Sequence, residues 1–154
     1  MSTGGRPGEY PMRALRELRD AAVDDAAGAL RVAESELDDA RRAREDAERA
    51  LELGEMNLRD APTPGGAMNA ADLLHYSAYR DRLRAERDAA KATLKERRTT
   101  EQERLQTRDA ALSALAEARA EAKAIERHEA KWRAEQARKA MQREEDEADD
   151  LRRR

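Results

Sequence analysis

Apolar and polar positions repeat with a helical period over two long stretches, Met12 to Asp60 and Asn69 to about Asp150, and neither contains a proline. In the first, Val23, Leu30, Leu37, Arg44, Leu51 and Leu58 are spaced by seven, and Ala26, Ala33, Ala40, Ala47 and Gly54 follow the first five of them by three. That is a heptad seam in which large and very small layers alternate. It predicts an amphipathic helix whose partner approaches toward or below the lower end of the usual spacing of about 8–10 Å. Leu15, Leu18 and Ala22 lie one position out of this register, so the helix is expected to rotate slightly near its start. The second stretch opens with Leu73, Tyr76, Arg80, Leu83, Ala90 and Leu94, then skips to Leu105. Leu83, Leu94 and Leu105 are eleven apart, a spacing that straightens or reverses a supercoil. Heptad-like spacing returns with Leu112, Leu115, Ala118, Ala122, Ile125 and Trp132, after which only Met141 and Leu151 are bulky.

All four prolines and five of the seven glycines lie before residue 12 or in Ala61-Pro62-Thr63-Pro64-Gly65-Gly66. These stretches therefore read as loop. The expected layout is a flexible segment 1–11, a helix over 12–60, a connection over 61–68, a second helix over 69–150 and a charged tail 151–154. Asn69 has the side chain to cap the second helix, and Asp72 stands three residues on, where a negative charge suits the helix dipole. A connection of eight residues makes the helices antiparallel neighbours. The fold class is thus all-α: an antiparallel two-helix coiled-coil hairpin with a longer second helix. Counting outward from the connection pairs Met12 with roughly residue 118 and leaves about thirty residues of the second helix unpartnered.

Composition narrows the function. Of 60 apolar residues 33 are alanine and only 18 are Leu, Ile or Val, while 42% of the chain is charged and Phe is absent. Such a chain lacks the bulk to fill a globular core at native density, so an enzyme is not expected. Residues 1–61 carry a net charge of −5 and residues 72–143 a net charge of +5, which favours pairing of the two arms over self-pairing of either. The chain has no cysteine, and no apolar run reaches the ~20 residues of a membrane span. Met1-Ser2-Thr3-Gly4-Gly5-Arg6-Pro7-Gly8 lacks the apolar stretch of a signal peptide, so a cytoplasmic chain without membrane insertion is expected.

Familiar site chemistry is missing as well. The glycines at 4, 5 and 8 are not followed by the Lys-Ser/Thr of a phosphate-binding loop. His75 and His128 are the only imidazoles and have no metal-ligand spacing. The many carboxylates read as solvated faces and helix ion pairs. Each arginine cluster has acidic neighbours, so the basic face that nucleic acid requires is absent. No cofactor, metal or catalytic residue is expected.

Bulky side chains outside the seam collect in two places, and aromatic residues and arginine are the types enriched at binding hot spots. Just after the connection stand His75, Tyr76, Tyr79 and Arg80, with Met56, Leu58 and Met68 approaching from the other side. Tyr76 and Leu73 either plug the tip or form a contact surface; Tyr79 falls on another face and reads as a contact. Elsewhere stand Tyr10-Pro11-Met12, Leu15 and Leu18, with Ile125, Trp132 and Met141 on the second helix. Trp132, among Arg127, Lys131, Arg133 and Arg138, either docks into another protein or packs against a back-folded Tyr10.

This arrangement resembles the stalk proteins of type III secretion, the YscO group of injectisomes and its flagellar counterpart FliJ. The opening Tyr10-Pro11-Met12-Arg13-Ala14-Leu15-Arg16-Glu17-Leu18-Arg19 is similar to the start of flagellar members. Tyr79-Arg80 with Leu83, just past the hairpin, is also suggestive, and Trp132-Arg133-Ala134-Glu135-Gln136 with Glu144, Glu145, Glu147 and Asp150 is similar to the injectisome branch. The resemblance implies a non-enzymatic coiled-coil stalk that links a hexameric export ATPase to the cytoplasmic ring of the export gate and handles secretion chaperones. It further implies that the chain is a monomer when free and lies in the cytoplasm, peripheral to the inner-membrane export apparatus. Carried over by position, Leu73, Tyr76, Tyr79, Arg80 and Leu83 would meet the export gate, and Leu15, Leu18, Arg19, Trp132 and Arg133 the ATPase. The alternative is a generic coiled-coil scaffold or tether.

Overall fold

The computed structural model describes residues 9–153. The chain is all-helical, with α1 over Arg13–Arg59 and α2 over Ala70–Arg152 packed against each other as a hairpin whose second helix is the longer. Both boundaries follow from local chemistry. The Asn69 carboxamide oxygen accepts from the Asp72 backbone N–H at 2.8 Å, which caps α2 at its first turn. In the connection, Gly66 adopts φ 99°, a left-handed conformation that side chains with a Cβ resist. At the other end α2 continues through Arg152, so residues 151 and 152 of the expected charged tail are helix. Residues 1–8 and 154 lie outside the described part of the chain. Of the expected flexible segment 1–11, Tyr10 is buried and its carbonyl accepts from the Arg13 N–H at 3.2 Å.

All eleven seam positions anticipated from Val23 to Leu58 are buried or half-buried, with Ala33, Leu37, Ala40 and Ala47 the most enclosed. Near the start of α1 the expected one-position rotation is followed in part: Leu15 and Ala22 are half-buried. Arg16 and Arg19, seven residues before Val23 and Ala26, continue the seam, while Leu18 is 62% exposed. On α2 Leu83, Leu94 and Leu105, eleven apart, are all buried or half-buried, and a heptad line that the leucines alone did not show runs beside them. Arg80, Arg87, Leu94, Glu101, Arg108, Leu115, Ala122 and Glu129 are spaced by seven and all are buried or half-buried. Arginine and glutamate can hold seam positions because their methylene stems cover apolar surface while the charged ends reach water or, at the buried Glu129, the guanidinium groups of Arg16 and Arg133.

Contacts divide the chain into two units, Arg31–Ala110 and Met1–Leu30 with Ala111–Arg154. Within Arg31–Ala110 the pairing is antiparallel: Arg104 meets Glu36 at 2.7 Å, Glu101 meets Arg44 at 2.7 Å, and Arg98 meets Glu48 at 3.1 Å. A methyl group at Gly54 would stand 3.4 Å from the Arg87 Cα, so alanine is about the largest residue this layer admits without movement. Hydrogen bonds from Arg98 and then Arg44 hold the Glu48 carboxyl below its ordinary value. A lowered carboxylate pKa stabilises the fold above the unfolded value, and that contribution fades as pH falls through the folded one. In the other unit Arg19 meets Glu121 and Arg16 meets Glu129, each at 2.5 Å, and Tyr10 reaches His128.

The pairing of Met12 with residue 118 is therefore corrected: the start of α1 lies beside the region from His128 to Trp132. The offset arises at the connection. With Gly54 opposite Arg87, α1 ends near the level of Arg82, and the first turns of α2 run past it. The intervening residues, extended, span about 3.3 Å each, enough to travel back along some three helical turns at about 5.4 Å per turn. Ala61 is buried on this path.

The seam assignment has a direct test. Leu37→Asp should lower the stability of the hairpin in urea denaturation followed by circular dichroism by about 2–4 kcal/mol, because it removes a buried side chain and buries a charge. Val32→Asp, at an exposed position of the same helix, should change it by less than about 0.5 kcal/mol. Equal effects of the two substitutions would refute the register.

Candidate interaction surfaces

At the hairpin end of Arg31–Ala110 the seam of α2 outruns its partner. Leu73 occupies the heptad position before Arg80 but has no α1 layer opposite, and it is 58% exposed. Beside it Leu74, which the sequence reading passed over, is 71% exposed. Tyr76 is half-buried; its hydroxyl accepts from the Arg80 guanidinium at 3.3 Å, and that guanidinium lies 6.0 Å from the ring centre. Tyr79 is exposed on another face with the Arg82 guanidinium 5.5 Å above its ring. Of the five residues assigned to an export-gate contact, Leu73, Tyr76, Tyr79 and Arg80 thus lie on the surface or border it. Leu83 is corrected: it is buried in the seam and supports the tip rather than facing a partner. Leu53 and Met56 of α1 add exposed apolar surface, and Leu53 too was missed, because it belongs to no seam.

The cluster in the other unit is already closed by the chain itself. Tyr10 is buried edge-on against Trp132, with ring centres 5.6 Å apart at 61°, and its hydroxyl shares a 2.7 Å hydrogen bond with His128 Nδ1. Trp132 is consequently half-buried, so of its two sequence-level alternatives the back-folded Tyr10 is the one adopted. One turn below, the buried Glu129 carboxylate binds Arg16 and Arg133, each at 2.5 Å. Glu129 holds the Arg16 guanidinium above its ordinary pKa. Glu129 was also missed, although counting sevens from Leu115 and Ala122 reaches it.

The five residues assigned to an ATPase contact differ in exposure and in what they touch. Trp132 and Arg133 join Tyr10, Arg16 and Glu129; Arg19 is engaged with Glu121; Leu15 is half-buried and Leu18 stands exposed. Between the helices of Arg31–Ala110 there is an open groove of about 930 Å³ lined by Leu51, Lys91, Leu94, Lys95 and Arg98 among others. Among the described residues no three His, Asp or Glu side chains are grouped to hold a metal ion, and no helix is long and apolar enough to cross a membrane.

No family model, curated protein or solved structure matches the chain.

Trp132 is the single tryptophan and so reports on its own cover. Tyr10→Ala should shift its fluorescence emission to longer wavelength and increase quenching by iodide, with helicity nearly unchanged. Tyr10→Phe keeps the ring and should leave emission close to that of the parent. An unshifted spectrum in Tyr10→Ala would show that Tyr10 does not cover the indole.

Proposed function

We propose that the chain is a non-enzymatic stalk of a type III secretion export apparatus, linking a hexameric export ATPase to the export gate and handling secretion chaperones. The observation that carries this reading is the exposed group Leu73, Leu74 and Tyr79 on the first turns of α2, where the seam has no α1 layer opposite. Exposed leucine and tyrosine beside arginine have the composition of a protein-binding hot spot. The long helices whose outer faces carry ion pairs suit a shaft that must not adhere along its sides. The gate-facing set is Leu73, Tyr76, Tyr79 and Arg80, with Leu83 as buried support. The ATPase-facing set is Leu15, Leu18 and Arg19 with the Trp132 and Arg133 region, engaged either over the Tyr10 cover or after its displacement. The stalk lies in the cytoplasm at the inner-membrane export apparatus and is a monomer when free at micromolar concentration.

The test is reconstitution with the hexameric export ATPase and the gate ring. The chain should bind both and stimulate ATP hydrolysis; absence of binding and stimulation would remove the stalk reading and leave a scaffold or tether. Tyr79→Ala and Leu74→Asp should each weaken binding to the gate ring about tenfold, equivalent to about 1.4 kcal/mol, while thermal melting moves little, because neither side chain is buried in the seam. A large loss of helicity in either variant would place that residue in the core instead.

A further inference from the structure

Beyond Trp132 the helix α2 has no cover: every described residue from Arg133 to Arg153 is exposed, yet the helix continues to Arg152. The intramolecular seam, extended by sevens, would pass through Gln136, Lys139, Arg143, Asp146 and Asp150, all of them polar. The apolar residues of this stretch lie on a different face. Ala134, Met141 and Ala148 are spaced by seven, and Ala137, Glu144 and Leu151 follow them by three, forming a second heptad pattern in which Met141 and Leu151 are 61% and 76% exposed.

In an antiparallel pair of helices, the first of these two lines packs against the second. One register satisfies every layer when the partner is an identical segment: Ala134 against Leu151, Ala137 against Ala148, and Met141 against the aliphatic stem of Glu144. Its twofold axis falls between Gln142 and Arg143. Charge selects nearly the same centre independently. Residues 131–143 contain Lys131, Arg133, Arg138, Lys139 and Arg143 against the single Glu135, whereas six of the seven residues 144–150 are acidic. The sign changes between Arg143 and Glu144, one residue from the axis. An antiparallel overlay therefore lays basic on acidic twice, and a parallel overlay sets like on like. Arg138 and Glu145 flank the layers and meet across the axis at both ends.

We propose that the C-terminal segment of α2, residues 133–153, pairs antiparallel with the same segment of a second copy of the chain. The occupant is specified by the coincidence of the two centres, since an unrelated helix would have to match both the apolar spacing and the position of the charge boundary. The pairing is independent of the stalk reading. With alanine in four of its six layers the interface is small, and the association is weak and salt-sensitive.

Sedimentation equilibrium of the full chain tests this. The mass should be near 17.4 kDa at about 10 µM and rise toward twice that value at about 1 mM in low salt. Arg138→Glu should weaken association about tenfold, because it converts two attractive pairs into repulsive ones, and the double variant R138E/E145R should restore it. Orientation is read by cysteine cross-linking, since the chain has no cysteine of its own. A mixture of Ala137→Cys and Ala148→Cys chains should give the mixed disulfide in excess of either symmetric one. A concentration-independent mass, failure of the double variant to recover, excess of symmetric disulfides, or loss of association on Leu74→Asp would each overturn the proposal.

Discussion

The closeness of α1 and α2 governs the rest of the structure. From Ala26 to Gly54 every second layer of the α1 seam is alanine or glycine, and at Gly54 even a methyl group would reach van der Waals contact with the Arg87 backbone. A seam this thin buries little apolar surface per layer, and at about 25 cal/mol per Å² it cannot by itself discriminate strongly among registers shifted by one heptad. Charges at the seam margin supply that discrimination. Moving α2 by seven residues would set Arg44 against Arg108 instead of Glu101, exchanging a 2.7 Å ion pair for two facing guanidinium groups. Exposed ion pairs add only about 0–1 kcal/mol each to stability, so their larger effect is in penalising the alternatives.

This division of labour explains what could be read from the chain. In α1 the contrast between apolar seam and charged flank is sharp, and all eleven positions from Val23 to Leu58 were legible. In α2 the seam line itself contains Arg87, Glu101, Arg108 and Glu129, so a pattern traced through leucines alone skipped them and produced an eleven-residue spacing. The same blindness occurred at the start of α1. Leu18 attracts the eye but stands exposed, whereas Glu121 and Glu129 on the facing helix hold Arg19 and Arg16 in the seam. Arg16, Arg19 and Glu101 each meet a counter-charge on the facing helix, far away in the chain, whereas Arg87 and Arg108 pair only with the adjacent Asp88 and Asp109 and hold the seam through their stems. The pairing offset was hidden for a different reason: it depends on the path of the connection past the first turns of α2, which loop length does not specify.

Aromatic residues illustrate how far composition can carry a functional reading. Tyr79 and Trp132 both stand among arginines on α2, and these are the residue types enriched at binding hot spots. Tyr79 keeps an exposed ring beneath Arg82, whereas Trp132 is partly covered because Tyr10, just before α1, reaches across to it and to His128. The difference is made by the neighbouring chain segment rather than by the residue type. The exposed tip therefore carries more of the functional argument than the Trp132 cluster, whose surface becomes available only with movement of residues 9–12.

The placement of bulk follows from the same thin seam. A tyrosine or tryptophan inserted between closely spaced backbones would force the helices apart over several layers, so such side chains fit only where the facing helix has ended. Tyr76 lies past the level at which α1 stops, and Trp132 lies at the level of the residues that precede Arg13. Beyond Trp132 α2 loses its facing helix, and there the sequence exchanges its apolar face for a new one on another side. An apolar face that changes side where the intramolecular partner ends is the feature on which the proposed pairing with a second copy rests, and the reversal of charge within that stretch would set its orientation.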